Sequence, residues 1–193
     1  NGDPAAVYTN GTAYGDIGSF LGITVNNIRV GLLLYISGIT LGLGTLKILF
    51  SNGIMVGSFL TMFYKEGAFA ESMSAIWIHG AMEIFGMVIE AAAGLLLGLG
   101  WLFPGTLRRK QAFLLTGKES LMIVMSTLPF TIAAGLLEGF ITQYYNEMPF
   151  WGSLTIILGT LGIIGYYYLI YPIRKYHNTT LRLEDIMVNN EEL

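Results

Sequence analysis

The 193-residue chain is 53% hydrophobic and only 12% charged, with a mean hydropathy of +0.60, a composition typical of integral membrane proteins. The formal net charge of −3 and the absence of basic stretches interleaved with aromatic residues argue against nucleic acid as a partner. The chain has no cysteine, which excludes disulfide bonds and thiolate metal sites. The lipid bilayer is therefore the first partner that the sequence predicts.

The N-terminal part of the chain is more polar than the apolar runs that follow it. Residues 1–26 are small, polar and glycine-rich, and we interpret them as a solvent-side segment that ends in a short interfacial stretch. The sequence begins at Asn1 without a methionine, and we interpret it as a fragment or a processed chain. Because we expect residues 1–26 outside the cytoplasm, we also expect one further span upstream of residue 1.

The next apolar run, residues 30–64, contains Lys47 as its only charge. As one helix it would be roughly 50 Å long, well beyond a hydrocarbon layer of about 30 Å. Residues 51–53, Ser-Asn-Gly, form the clearest turn signal. The run therefore predicts a glycine-rich helical hairpin, with one span over residues 28–50 and a shorter, tilted or re-entrant arm over residues 54–64.

The rest of the chain predicts three further spans, over residues 74–103, 121–142 and 150–171. Together with the hairpin they predict an all-α polytopic membrane protein. Its expected parts are an extracytoplasmic N-terminal segment, a helical membrane domain and a cytoplasmic tail, over residues 1–26, 27–173 and 174–193.

The distribution of basic residues predicts the orientation. Seven of the ten Lys and Arg residues lie either in residues 104–120, which we interpret as a loop, or after Pro172. Short basic segments remain on the cytoplasmic side of a membrane. Both segments are therefore expected in the cytoplasm.

Four ionisable residues lie inside these apolar runs, which contain no Lys or Arg: His79, Glu83, Glu90 and Glu138. Such groups cost at least a few kcal/mol in hydrocarbon unless they are paired or neutralised. At about 100° per residue the first three share one helix face. His79 and Glu138 lie at similar depths in antiparallel spans, so we predict a cluster of His79, Glu83 and Glu138. Glu90 lies deeper, and its partner cannot be identified from the sequence.

The cluster admits three interpretations. It can link helices structurally, form part of a proton or ion path, or bind a metal through His79, Glu83 and Glu138. The metal interpretation is the weakest sequence signal of these, because there is no second histidine nearby and no HExxH motif. No catalytic constellation is present either, so we predict neither an enzyme nor a cofactor.

Several short motifs lie in a characteristic order: Asn26–Val30, Asn52-Gly53, Ile78–Glu83 and Ala133–Thr142. Over residues 23–175 the chain resembles the stage II sporulation protein M family of bacterial integral membrane proteins. The positions that match the family pattern are Asn27, His79, Gly80, Glu83, Gly135, Glu138 and Gly139.

The resemblance implies a multi-pass protein of the bacterial cytoplasmic membrane without established catalytic chemistry. In spore-forming bacteria the named member works with two peptidoglycan-degrading partners as their membrane scaffold. Many members occur in bacteria that form no spores, so the resemblance implies no sporulation role here. We expect a scaffold or assembly protein that self-associates and binds other membrane or cell-envelope proteins. The alternative is a channel or transporter for ions, protons or small solutes that uses the His79/Glu83/Glu138 cluster.

Overall fold

The computed structural model describes residues 17–144 and 147–176, which fold into helices and contain no strand. Five helices are long and apolar enough to cross a membrane, and the predicted all-α polytopic fold is confirmed. In chain order they are α1 (Ile17–Ile36), α2 (Leu43–Lys65), α3 (Phe69–Leu102), α4 (Arg109–Leu136) and α5 (Phe150–Gly165).

Two of these helices are extended by wider turns. A π turn, Leu137–Ile141, continues α4. A second π turn, Tyr166–Ile170, continues α5, and helical structure runs on to Tyr176. The last helix thus passes the expected start of the tail at residue 174, and residues 177–193 lie outside the described part of the chain.

The central helix is α3, which packs against all four other helices and most extensively against α4. Glycines permit these close approaches. A Cβ atom at Gly38 would overlap the carbonyl group of Gly94, and one at Gly98 would lie 2.8 Å from the Gly38 carbonyl oxygen. Small residues of this kind let membrane helices meet backbone to backbone.

The predicted position of the hairpin turn is wrong. The chain reverses at residues 37–42, where Leu41 and Gly42 have φ angles of 58° and 85°. Glycine adopts such angles at little cost. The Thr40 hydroxyl closes the turn by accepting the Gly44 N–H at 2.7 Å.

The predicted turn residues 51–53 instead continue α2. Asn52 does not break the helix, because its side-chain Nδ2 donates to the Ile48 carbonyl oxygen, four residues earlier, at 2.9 Å. Two expectations change with the turn. The first span begins at Ile17 rather than near residue 28, and α2 is a helix of 23 residues rather than a short arm.

The predicted basic loop over residues 104–120 is also too long. Arg108 caps α4, and its backbone N–H donates to the Gln111 side chain at 3.4 Å. Arg109, Lys110 and Lys118 therefore lie on the first turns of α4, and the connection shortens to residues 103–108. The side of the membrane on which this connection lies stays a prediction.

An apolar core holds α5 against α3 and α4. Met82, Ala134 and Ile164 are buried at its centre. Tyr168 packs beside them, with its hydroxyl 2.9 Å from the Ser126 hydroxyl. The opposite side of α3 receives α1 and α2, and that side carries the ionisable residues.

Candidate functional site

The structure brings together the ionisable groups of α3 and of the π turn after α4. His79 Nε2 lies 3.9 Å from Glu138 Oε2, and the two side chains are 12% and 20% exposed. One nitrogen or oxygen atom each from His79, Glu83 and Glu138 lie within 4.8 Å of one another. Because α3 and α4 pack antiparallel, the start of α3 lies beside the end of α4 and its π turn. His79, Glu83 and Glu138 each lie within a few turns of this shared end, and therefore at a similar depth.

The π turn orients the imidazole through Thr142. The Thr142 hydroxyl donates to the Leu137 carbonyl oxygen, five residues earlier, at 3.1 Å. Its oxygen also lies 3.1 Å from His79 Nδ1. When the hydroxyl proton is directed at Leu137, the Thr142 oxygen can accept from Nδ1–H of His79. A neutral imidazole then presents the lone pair of Nε2 towards Glu138.

Helix α1 supplies the third side of the cluster. The Asn27 side-chain amide donates to Glu83 Oε1, and one carboxylate oxygen of Glu83 lies within 4.8 Å of one of Glu138. The network therefore connects α1, α3 and the end of α4.

Glycines of α4 and its π turn give α1 its close position. A Cβ atom at Gly139 would lie 3.1 Å from the Phe20 Cβ, and one at Gly135 would overlap the Thr24 hydroxyl. Larger residues would push α1 outward and break the contact between Asn27 and Glu83.

Glu90 lies two turns deeper than Glu83 and is only 4% exposed. The Thr127 hydroxyl of α4 donates to Glu90 Oε1 at 2.8 Å. On the other side the carboxyl group lies against Gly31 of α1, where a Cβ atom would overlap it. Glu90 is thus a separate point of polar contact between the same three helices, outside the cluster.

A cavity of about 160 Å³ joins the two levels, between α1, α2 and α3. This volume is large enough to admit water. Its polar lining residues are Asn26, Asn27, Asn52, His79, Glu83, Glu90 and Thr131. Two members of the cluster, His79 and Glu83, therefore border the cavity.

Comparison with known families identifies the family of the chain. Residues 3–143, well over half of the chain, match the family described as stage II sporulation protein M. The chain belongs to the stage II sporulation protein M family. The matched part includes α1 to α4 and the whole cluster, and it ends before α5.

One relative of the chain is an uncharacterized protein of Methanocaldococcus jannaschii. The two are 32% identical over 134 residues, which cover 67% of this chain and 58% of that protein. The chain thus spans less than two thirds of the length of this relative. No solved structure matches the chain.

The seven positions that resemble the family pattern in the sequence all lie in the cluster or beside it. His79, Glu83 and Glu138 form it, Asn27 binds it, and the glycines at 135 and 139 admit α1. Gly80 follows His79 on the buried side of α3 and lines the cavity.

Sequence reasoning missed three hydrogen-bonding partners. Asn27 was matched only as a family position, and Thr142 and Thr127 were not identified as partners of His79 and Glu90. A signal for Asn27 exists, because Thr24, Asn27 and Gly31 follow helical spacing. It becomes visible only when residues 17–36 are read as one span.

Proposed function

We propose that this protein is a non-enzymatic scaffold of the bacterial cytoplasmic membrane that binds other membrane helices beside α1 and α2. The observation that supports the proposal is Arg29. Its side chain is exposed on α1, and nothing in the described residues pairs with it. Twelve residues separate it from Ile17, so it lies roughly 18 Å along the helix, near mid-depth.

An arginine at this depth is costly on the surface of a membrane protein. The cost is about 2.5–3.5 kcal/mol at the centre of a spanning helix by insertion scales. A partner that offers a carboxylate or several carbonyl oxygens would remove this cost. We therefore take the Arg29 side of α1 to be a protein contact in the assembled state.

The adjacent helix α2 has a surface suited to the same contact. Gly53 and Gly57 are exposed, and no other part of the fold lies within 4 Å of a Cβ atom placed at either. Thr61, one turn further on, directs its hydroxyl back to the Gly57 carbonyl oxygen at 2.8 Å. Small residues at intervals of four permit close helix approach. The α2 span is also the least buried of the five, at 6%.

Arg29 allows a direct test. Arg29→Leu should abolish self-association or co-purification of the natural partner from membranes, while the variant itself becomes no less stable in detergent. Lys47→Leu is the matched control. Lys47 is exposed near the start of α2, where a lysine side chain can reach the lipid headgroups. Unchanged association of Arg29→Leu would refute the proposal.

Crosslinking would locate the contact. The chain has no cysteine, so Gly57→Cys introduces a single thiol on α2. Oxidation in native membranes should give a disulfide-linked dimer or an adduct with a partner. Gly159→Cys on α5 is the control, because Gly159 is equally exposed and open. Equal crosslinking at both sites, or none at Gly57, would contradict the proposed face.

The cavity favours a second candidate function, a channel or transporter for protons, ions or small solutes. Glu83 and Glu90 both line this cavity, which is the support for such a path. In proteoliposomes this function predicts a flux that Glu83→Gln abolishes and Arg29→Leu preserves. The scaffold proposal predicts that neither variant changes a flux, because there is none to change.

A further inference from the structure

We propose that His79, Glu83 and Glu138 bind a divalent transition-metal ion within the membrane. The three residues offer one imidazole nitrogen and carboxylate oxygens whose ligand atoms lie within 4.8 Å of one another. Mixed nitrogen and oxygen ligands suit ions such as Zn²⁺ and Mn²⁺. A tetrahedral ion with bonds of about 2.0–2.2 Å holds its ligand atoms about 3.4 Å apart. The 3.9 Å between His79 Nε2 and Glu138 Oε2 is close to that spacing.

The orientation of His79 is the first argument. Its Nδ1–H is engaged by Thr142, whose own proton is directed at the Leu137 carbonyl oxygen. The Nε2 lone pair therefore faces a carboxylate oxygen, which also carries only lone pairs. Two facing acceptors need either a proton or a metal cation between them. Metal-binding histidines characteristically donate their other ring N–H to an oxygen acceptor, as His79 does here.

The charge balance is the second argument. Glu83, Glu90 and Glu138 lie in the membrane layer, whereas residues 66–107 and 119–173 contain no Lys or Arg. The nearest basic residue on α1, Arg29, is exposed. It follows Asn27 by two residues, about 200° around the helix, and so faces away from the cluster. A bound cation would supply the missing positive charge.

The surroundings complete the site. The Asn27 amide donates a hydrogen bond to the proposed ligand Glu83. In known metal sites, hydrogen bonds of this kind orient the ligands. His79 and Glu83 both line the 160 Å³ cavity, which has room for water in the remaining coordination positions. Binding requires the carboxyl groups of Glu83 and Glu138 to be deprotonated.

The test uses the full chain in lipid nanodiscs. After chelator treatment it is titrated with Zn²⁺ and with Mn²⁺ by calorimetry, and bound metal is measured by mass spectrometry. We expect one ion per chain. His79→Ala, Glu83→Gln and Glu138→Gln should each weaken binding at least tenfold. Glu90→Gln is the matched control, because Glu90 lines the same cavity but lies outside the cluster, and it should bind normally.

Thr142→Val tests the role of the hydroxyl while all three ligands remain. Loss of an outer hydrogen-bonding partner of a ligand weakens metal affinity about 10–100-fold, and Thr142→Ser should restore it. Retained helix content and monodisperse elution show that each variant is folded. The proposal fails if the wild-type chain binds neither ion stoichiometrically, as a shared proton alone predicts. It also fails if His79→Ala binds as tightly as wild type or if Glu90→Gln is as defective as Glu83→Gln.

Discussion

Gly94 is the point at which α3 meets the end of α1 backbone to backbone. A Cβ atom there would overlap the Leu34 carbonyl oxygen and would lie 2.7 Å from the Thr45 hydroxyl. That hydroxyl itself donates to Leu34 O at 2.8 Å. Because the obstructing atom belongs to the backbone, Gly94→Ala must move α1 rather than a side-chain rotamer.

Overpacking of this kind costs about 1–3 kcal/mol, and the better helix propensity of alanine offsets about 0.5–1 kcal/mol. At the centre of these ranges the net loss is about 1 kcal/mol, which lowers the unfolding midpoint of a chain of this size by roughly 2–4 °C. Circular dichroism during heating in detergent measures the change.

Gly159→Ala is the control for this prediction. Gly159 lies in the interior of α5 with open space around it, so the alanine should stabilise the chain by about 0.5–1 kcal/mol. We therefore expect Gly94→Ala to lower the unfolding midpoint and Gly159→Ala to raise it. A Gly94→Ala variant as stable as wild type would show that the close approach of α1 and α3 is not where the structure has it.

Three further predictions concern α1, α5 and the orientation. Asn27→Leu leaves Glu83 without its amide donor, and we expect a loss of about 1.5–3 kcal/mol in thermal unfolding; an unchanged midpoint would refute the contact. Tyr168→Phe removes the hydroxyl bonded to Ser126 and should cost about 0.5–1.5 kcal/mol, whereas a gain in stability would contradict it. In a chain that otherwise lacks cysteine, Leu107→Cys should react with a membrane-impermeant maleimide only from the cytoplasmic side, and labelling from outside would reverse the orientation.

The number of helices was predictable because long apolar runs leave few alternatives in a chain of this length. The position of the hairpin turn was not. Ser51, Asn52 and Gly53 carry a strong local turn signal, but a helix inside a membrane can satisfy Asn52 through the Ile48 carbonyl oxygen. The actual turn at Gly42 requires the approach of Gly38 to Gly94, a contact distant in sequence.

The convergence of His79, Glu83 and Glu138 was predictable from depth alone, since two antiparallel helices of known ends place residues at known levels. Their hydrogen-bonding partners depended on finer geometry. Thr142 contacts His79 from the end of a π turn, and no residue type in the sequence predicts that turn. Thr127 reaches Glu90 from the facing helix, which only the packing of α3 on α4 reveals.

Helix α1 begins at Ile17, eleven residues before the predicted start of the first span at residue 28. Asn27 and Arg29 lie near its middle, and the small, polar and glycine-rich residues before them favoured a solvent-side segment. A spanning helix tolerates a polar side chain when another protein group satisfies it. Asn27 has that group in Glu83. Arg29, on the opposite face, has no such group among the described residues, and this is the basis of the scaffold proposal.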